Sequence, residues 1–257
     1  MSDAIEYQIF GNDLQLVEIE LDPGEAVRGE IGTMNYMQAG IEMQTSSGGG
    51  LFRGLKRMVT GESFFIAAFL NTGKAKARVA FAAPYPGKIL PIDLDQFGNQ
   101  IYCQKDSFLC AAKGIEIEVA FTRRVGAGLF GGEGFILQHL TGSGLAFAHA
   151  GGTIIEKVLA SGEQMRVDTG CLVAFETGID FDIKFIGGFT NALFGGEGLF
   201  LTTLTGPGRV YLQSLPFSRL ADRIRAAGRM GRQVDETQGL AGLGGDLFKN
   251  ITSGSGD

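Results

Sequence analysis

Leu129-Phe130-Gly131-Gly132-Glu133-Gly134 recurs 64 residues later as Leu193-Phe194-Gly195-Gly196-Glu197-Gly198. Holding that offset without gaps, residues 98–144 and 162–208 share 16 of 47 positions. Two unrelated stretches of ordinary composition would agree at roughly 7% of positions. The identities include Gly98, Gly114, Ile115, Leu137 and Leu140-Thr141-Gly142. An internal duplication of this kind decides the architecture before any local propensity is weighed.

A third copy lies upstream. Gly24-Glu25 corresponds to Gly162-Glu163, and Gly40-Ile41-Glu42, sixteen residues on, to Gly178-Ile179-Asp180. The middle copy keeps the same separation between Gly98 and Gly114. Leu51-Phe52 and Gly61-Glu62 bracket an insert, Arg53 to Thr60, that the other copies lack. Residues 1–216 therefore read as three units, about 5–86, 87–151 and 152–216.

The units read as strands. Ile115-Glu116-Ile117-Glu118-Val119 and Ile179-Asp180-Phe181-Asp182-Ile183 alternate strictly, and Leu14 to Leu21 alternates loosely. Period two places one face in a core and the other in water. Phe135–Leu140 and Leu199–Leu204 are short apolar runs closed by Thr-Gly, as buried strands ending in turns are. The expected fold is all-β: three tandem pseudo-equivalent β-sandwich or jelly-roll-like units around a pseudo-threefold axis. A linear array is the competing arrangement. Glycine, 41 of 257 residues, belongs to turns and bulges, since 20 Phe and 44% hydrophobic residues provide a core.

After Pro216 the period changes. Phe217, Leu220, Ile224, Ala227 and Met230 fit one helical face, with Ser218 as an N-cap candidate. The spacing predicts an amphipathic helix over 217–234, carrying Arg219, Arg223, Arg225, Arg229 and Arg232 against Asp222. Residues 235–257 are glycine-rich and are expected to form a flexible tail.

The tandem units, their Leu-Phe-Gly-Gly-Glu-Gly motifs, the Leu140-Thr141-Gly142 and Leu204-Thr205-Gly206 turns and the Gly-Glu openings resemble the altered-inheritance-of-mitochondria 24 family. The resemblance spans about residues 5–225, and the chain looks like a bacterial member. It implies a fold like that of the trp RNA-binding attenuation protein, a double-stranded β-helix type of sandwich. It implies no catalytic residues, because none is established for the family. Eukaryotic relatives are associated with mitochondrial inner-membrane organisation.

Chemistry-bearing patterns are sparse. Gly126 to Gly131 spells GxGxxG, but a dinucleotide site needs a helix to follow, and here a strand-like run follows. His139 and His149 correspond to Thr203 and Gln213 in the third unit and have no Cys, Asp or Glu at ligand spacing. Cys103, Cys110 and Cys171 form no CxxC pair and read as free thiols. Glu62, Glu133 and Glu197 recur in every unit. Three carboxylates about an axis could hold a cation; capping of backbone N–H groups in their own turns is the favoured reading. No enzyme activity, cofactor or metal is expected.

The candidate contacts are apolar and basic. Leu51-Phe52 precedes the insert with Arg53, Lys56 and Arg57 beside Leu55 and Met58, and Arg219 and Arg223 lie on the predicted helix. Such combinations suit an anionic membrane surface or an acidic partner. The chain's net charge of −6 argues against nucleic acid as the partner. Met1 to Glu6 is acidic with no apolar run behind it, so no secretory signal is expected, and the expected location is cytoplasmic or peripheral at a membrane. The leading expectation is a non-enzymatic scaffold or assembly protein that forms a homo-oligomer, with a trimer favoured by extension of the threefold pattern. The alternatives are a nucleic-acid-binding protein, by fold analogy, and a small-ligand-binding β-sandwich.

Overall fold

A computed structural model of the chain describes residues 5–45, 66–123, 134–186 and 199–228. The first unit carries β1 Glu6–Phe10, β2 Leu16–Leu21, β3 Ala26–Glu30, β4 Met34–Met37, β5 Ile41–Thr45, β6 Ile66–Asn71 and β7 Ala77–Phe81. The second carries β8 Gly87–Asp93, β9 Gln100–Gln104, β10 Phe108–Ala112, β11 Glu116–Arg123, β12 Phe135–Thr141 and β13 Leu145–Gly151. The third carries β14 Ile154–Leu159, β15 Gln164–Asp168, β16 Leu172–Phe175, β17 Asp180–Ile186, β18 Leu199–Thr205 and β19 Gly208–Gln213. The chain is all-β with a C-terminal helix over 217–228.

Among the described residues the strands form four sheets, in the orders β1-β2-β7-β4, β5-β6-β3-β10-β13-β8, β11-β12-β9-β16-β19-β14 and β15-β18-β17. Three strands of every unit pair as β2-β7-β4, β8-β13-β10 or β14-β19-β16. The other three pair as β5-β6-β3, β11-β12-β9 or β17-β18-β15. The sequence repeat is thus a repeat of topology, and β1 is an addition to the first unit.

The units are not separate sandwiches strung on linkers. Each of the two six-stranded sheets takes half its strands from one unit and half from the next. The first junction is β3 on β10, with Gly29 opposite Cys110 and Arg28 opposite Ala111. The second is β9 on β16, with Cys103 opposite Ala174 and Tyr102 opposite Phe175. Backbone N–H and C=O groups that would form an aggregation-prone edge in an isolated unit are satisfied by its neighbour. Arg209 adds a side-chain tie across the second boundary. Its guanidinium lies 4.8 Å from the Phe97 ring centroid and 3.0 Å from the Glu176 carboxylate. Closure about a threefold axis would require a third junction, β15 on β4. Among the described residues, neither strand has a second neighbour in its sheet.

The repeated glycines mark a shared turn. Gly24, Gly98 and Gly162 all take positive φ, at 90°, 63° and 77°, a region that L side chains resist. In two units the following glutamate caps that turn: Glu25 accepts the Asp22 N–H and Glu163 the Ala160 N–H, each at 2.8 Å.

One core cluster joins the first three sheets through Val17, Ile19, Phe69, Phe81, Phe147 and Val173. A second lies between the third and fourth sheets around Phe135, Phe175, Ile183 and Leu204. The alternation in β2 is realised with Val17, Ile19 and Leu21 fully buried, whereas Leu14 is 68% exposed and lies outside the strand. In β11 the parity holds through Ile117 and breaks at a bulge between Val119 and Phe121. Contacts divide the chain into two units, Met1–Phe217 and Ser218–Asp257. Within the second, the helix carries an ion pair between Arg225 and Asp222 at 3.4 Å.

Candidate functional site

Leu51, Phe52, Arg53, Lys56 and Arg57 lie outside the described residues, as do Glu62, Glu133, Glu197 and the Gly126–Gly131 pattern. In sequence, the motif that revealed the repeat lies between β11 and β12 and again between β17 and β18. Arg219 and Arg223 are placed on the helix 217–228, both exposed. On the apolar face read from the sequence, Phe217 is 52% exposed with its ring 5.2 Å from that of Tyr85, and Ile224 is 64% exposed.

The two histidines are not brought together. His149, on β13, is buried, with its ring edge-on to Tyr85 at 4.5 Å between centroids. Burial pushes its pKa down to about 4, and a hydrogen bond with the Tyr85 backbone works the other way. His149 is therefore neutral at pH 7. The close packing extends to Gly87, where a Cβ would stand 2.4 Å from His149 Nε2 and 2.2 Å from the Ala150 carbonyl oxygen. His139, on β12, lies against Tyr102 at 5.0 Å. No three His, Cys, Asp or Glu side chains among the described residues are grouped as metal ligands. Cys103 and Cys110 are buried free thiols, and burial raises the Cys103 pKa to about 12 and that of Cys110 well above its usual value. Neither is a thiolate nucleophile at neutral pH.

The outer face of the first sheet holds a charge network that no sequence motif announces. Glu6 on β1, Glu18 and Glu20 on β2 and Arg78 on β7 converge there because antiparallel register places Glu20 opposite both Glu6 and Arg78. Lys76 Nζ lies 2.7 Å from Glu6, 3.0 Å from Glu20 and 4.0 Å from Asp22. Arg78 reaches Glu20 at 2.8 Å and Glu18 at 3.6 Å. Tyr36 on β4 donates its hydroxyl to Glu18. Hydrogen bonds from Lys76 and then Arg78 hold the Glu20 carboxyl down at about 2. Four carboxylates against two cations leave this face acidic, with both cations already engaged.

Comparison with known proteins places these features in a family. A family model described as Mitochondrial biogenesis AIM24 matches residues 7–215. An uncharacterised protein of Streptococcus pyogenes serotype M6 is 32% identical over 218 residues, covering 82% of this chain and 85% of that protein. A crystal structure of a Streptococcus pyogenes protein superposes with a TM-score of 0.69 at 27% identity. It covers 87% of this chain and 99% of the other.

Proposed function

From the premise that this chain belongs to the mitochondrial biogenesis AIM24 family, we propose that it is a non-enzymatic scaffold or assembly protein that works at an anionic membrane surface. The carrying observation is the helix 217–228, where Ile224 stands 64% exposed among the exposed Arg223 and Arg225. An apolar side chain left in water beside cations is the composition of a helix that lies in a headgroup layer. The sheet-continuous body supports the scaffold half of the reading. Sheets that pair strands across all three units form a stiff platform. No helix among the described residues is long and apolar enough to cross a membrane, so the attachment proposed is peripheral.

The test is flotation of the full chain with vesicles of phosphatidylglycerol and phosphatidylcholine at low and high salt. Each Arg near an anionic bilayer contributes about 1 kcal/mol, so Arg219→Glu with Arg223→Glu is expected to reduce the partition coefficient by roughly thirtyfold or more at low salt. High salt should weaken wild-type binding in the same direction. Binding that is equal on purely zwitterionic vesicles, or unchanged in the double variant, would remove the helix from the account. Failure of wild type to bind either vesicle would transfer the scaffold role to a protein partner.

A further inference from the structure

We propose that β4 and β15 are the two halves of an interface between copies of this chain, β15 of one copy adding in antiparallel register to β4 of the next. The pairing places Val167 opposite Tyr36 and Arg166 opposite Met37. It brings Arg166 of one copy onto Glu42 of the second.

The fold makes the same join twice within one chain. β3 pairs with β10 and β9 with β16, each time joining equivalent strands of successive units. The third member of the first series is β15 and of the second is β4. They are the strands of their series left without that neighbour. β4 also has the shape of its equivalents. It is bulged against β7 between Met34 and Tyr36, as β10 is against β13 between Phe108 and Cys110, and β16 against β19 between Leu172 and Ala174. The bulge does not prevent β10 or β16 from accepting a neighbour, so it does not prevent β4. Exposure matches. β10 and β16 are buried throughout, whereas Tyr36 and Met37 are each 40% exposed. On β15, Gln164 and Arg166 are exposed.

The register follows from the repeat. Gly29, Cys103 and Val167 occupy one position in the three units; Cys110, Ala174 and Tyr36 occupy its partner position. Gly29 faces Cys110 and Cys103 faces Ala174, so Val167 faces Tyr36.

A second, independent observation is electrostatic. Across the first junction, Arg28 donates to the Ile115 carbonyl at 3.1 Å and lies 3.3 Å from the Glu116 carboxylate. Arg166 stands at the Arg28 position, and Ile41-Glu42 at the Ile115-Glu116 position. Both Arg166 and Glu42 are exposed, and among the described residues neither has an ion pair within the chain. The second junction replaces the arginine by Tyr102, which packs its ring 6.2 Å from Phe181. The charge pair is thus kept at the first junction and, split between the two ends of the body, at the prospective third.

Such a contact is heterologous: each copy uses a different surface for its two neighbours. It builds a ring where the rotation closes and a filament where it does not. The strands are short and their exposed side chains mixed, Tyr36 and Met37 on one against Gln164 and Arg166 on the other, so association is expected to be reversible and concentration-dependent. The proposal is independent of the membrane reading, and its test contains no lipid.

Sedimentation velocity of the full chain across the micromolar range should show mass rising with concentration. Arg166→Glu and Glu42→Arg should each weaken association by roughly tenfold, since each sets like charges face to face. Both positions are exposed, so thermal melting should stay close to wild type. An equimolar mixture of the two variants should recover association, because Glu at 166 then meets Arg at 42. A wild type that remains at monomer mass throughout would overturn the proposal, showing the edges closed on each other or unused. Single variants that associate like wild type, or a mixture that fails to recover, would also overturn it, since the two residues would then not face each other.

Discussion

Truncating Phe81 to alanine is expected to lower the unfolding free energy by about 3–5 kcal/mol. The ring comes from β7 in the first sheet, is fully buried, and meets Phe69 of the second sheet edge-on at 5.2 Å between centroids. It also lies directly over Gly29, the residue that faces Cys110 at the first junction. A Cβ built on Gly29 would stand 2.4 Å from Phe81 Cε1 and 2.9 Å from Cζ. Gly29→Ala should therefore be destabilising on its own by about 1–3 kcal/mol through overpacking. In the Phe81→Ala background the added methyl enters the space the ring has left, and its cost should fall towards zero. The double-mutant cycle, measured by urea unfolding, should show a coupling of about 1–3 kcal/mol. Additive costs would mean that the two residues are not in contact.

Acid should destabilise the fold well above the range in which most carboxylates titrate, and His149 is the cause. An unfolded imidazole takes up its proton near pH 6.5, whereas the buried ring resists until about 4. Between those values the unfolded chain binds the extra proton. Stability is therefore full above pH 6.5 and declines as the pH falls to about 4, by at most about 3 kcal/mol. Glu20 acts in a lower window. With its pKa at about 2 against an ordinary value of 4.5, its contribution is present above 4.5 and lost as the pH falls towards 2. The third unit carries Gln213 at the His149 position, donating to the Gly170 carbonyl and accepting from the Gly151 N–H, both at 2.8 Å. His149→Gln should therefore remove the pH slope between 6.5 and about 4.5 whatever its effect on stability at pH 7. A wild type as stable at pH 4.5 as at pH 7 would show that the imidazole is not held neutral by burial.

The sequence repeat was enough to reveal the repeated unit, because a turn that demands positive φ leaves a glycine wherever it occurs. Gly24, Gly98 and Gly162 are such marks. Strand parity was legible where an alternating stretch lies wholly within a strand, as in β2 from Val17 to Leu21. It failed at Leu14, which precedes the strand, and at Val119, where a bulge shifts the count. The junctions were not legible. Nothing in Val27-Arg28-Gly29 or Leu109-Cys110-Ala111 distinguishes pairing with a neighbouring unit from pairing within a unit. Small residues at Gly29, Cys110 and Ala111 are their one local trace.

The charge network around Lys76 was hidden for a related reason. Glu18 and Glu20 alternate visibly, but Glu6 and Arg78 join them through register. The candidate contacts divided between segments. The helix that carries Arg219 and Arg223 was readable because a helical period shows itself within a dozen residues. The apolar and basic insert of the first unit lies outside the described residues. His149 illustrates the limit of motif reasoning: a histidine is a chemical candidate in a sequence, and burial against Tyr85 makes this one a core residue.

Pairing between units is expected to make the described strands of all three units a single stiff platform. Native-state amide hydrogen exchange at β10 and β16 tests it most directly. The account predicts that amides across both junctions, at Cys110, Ala111, Ala174 and Phe175, exchange only through global unfolding, whereas those on the outer edge of β4 exchange rapidly at concentrations where the chain is monomeric. Exchange at β10 and β16 as fast as at β4, with the strands inside each unit still protected, would mean that the units move independently and would contradict it.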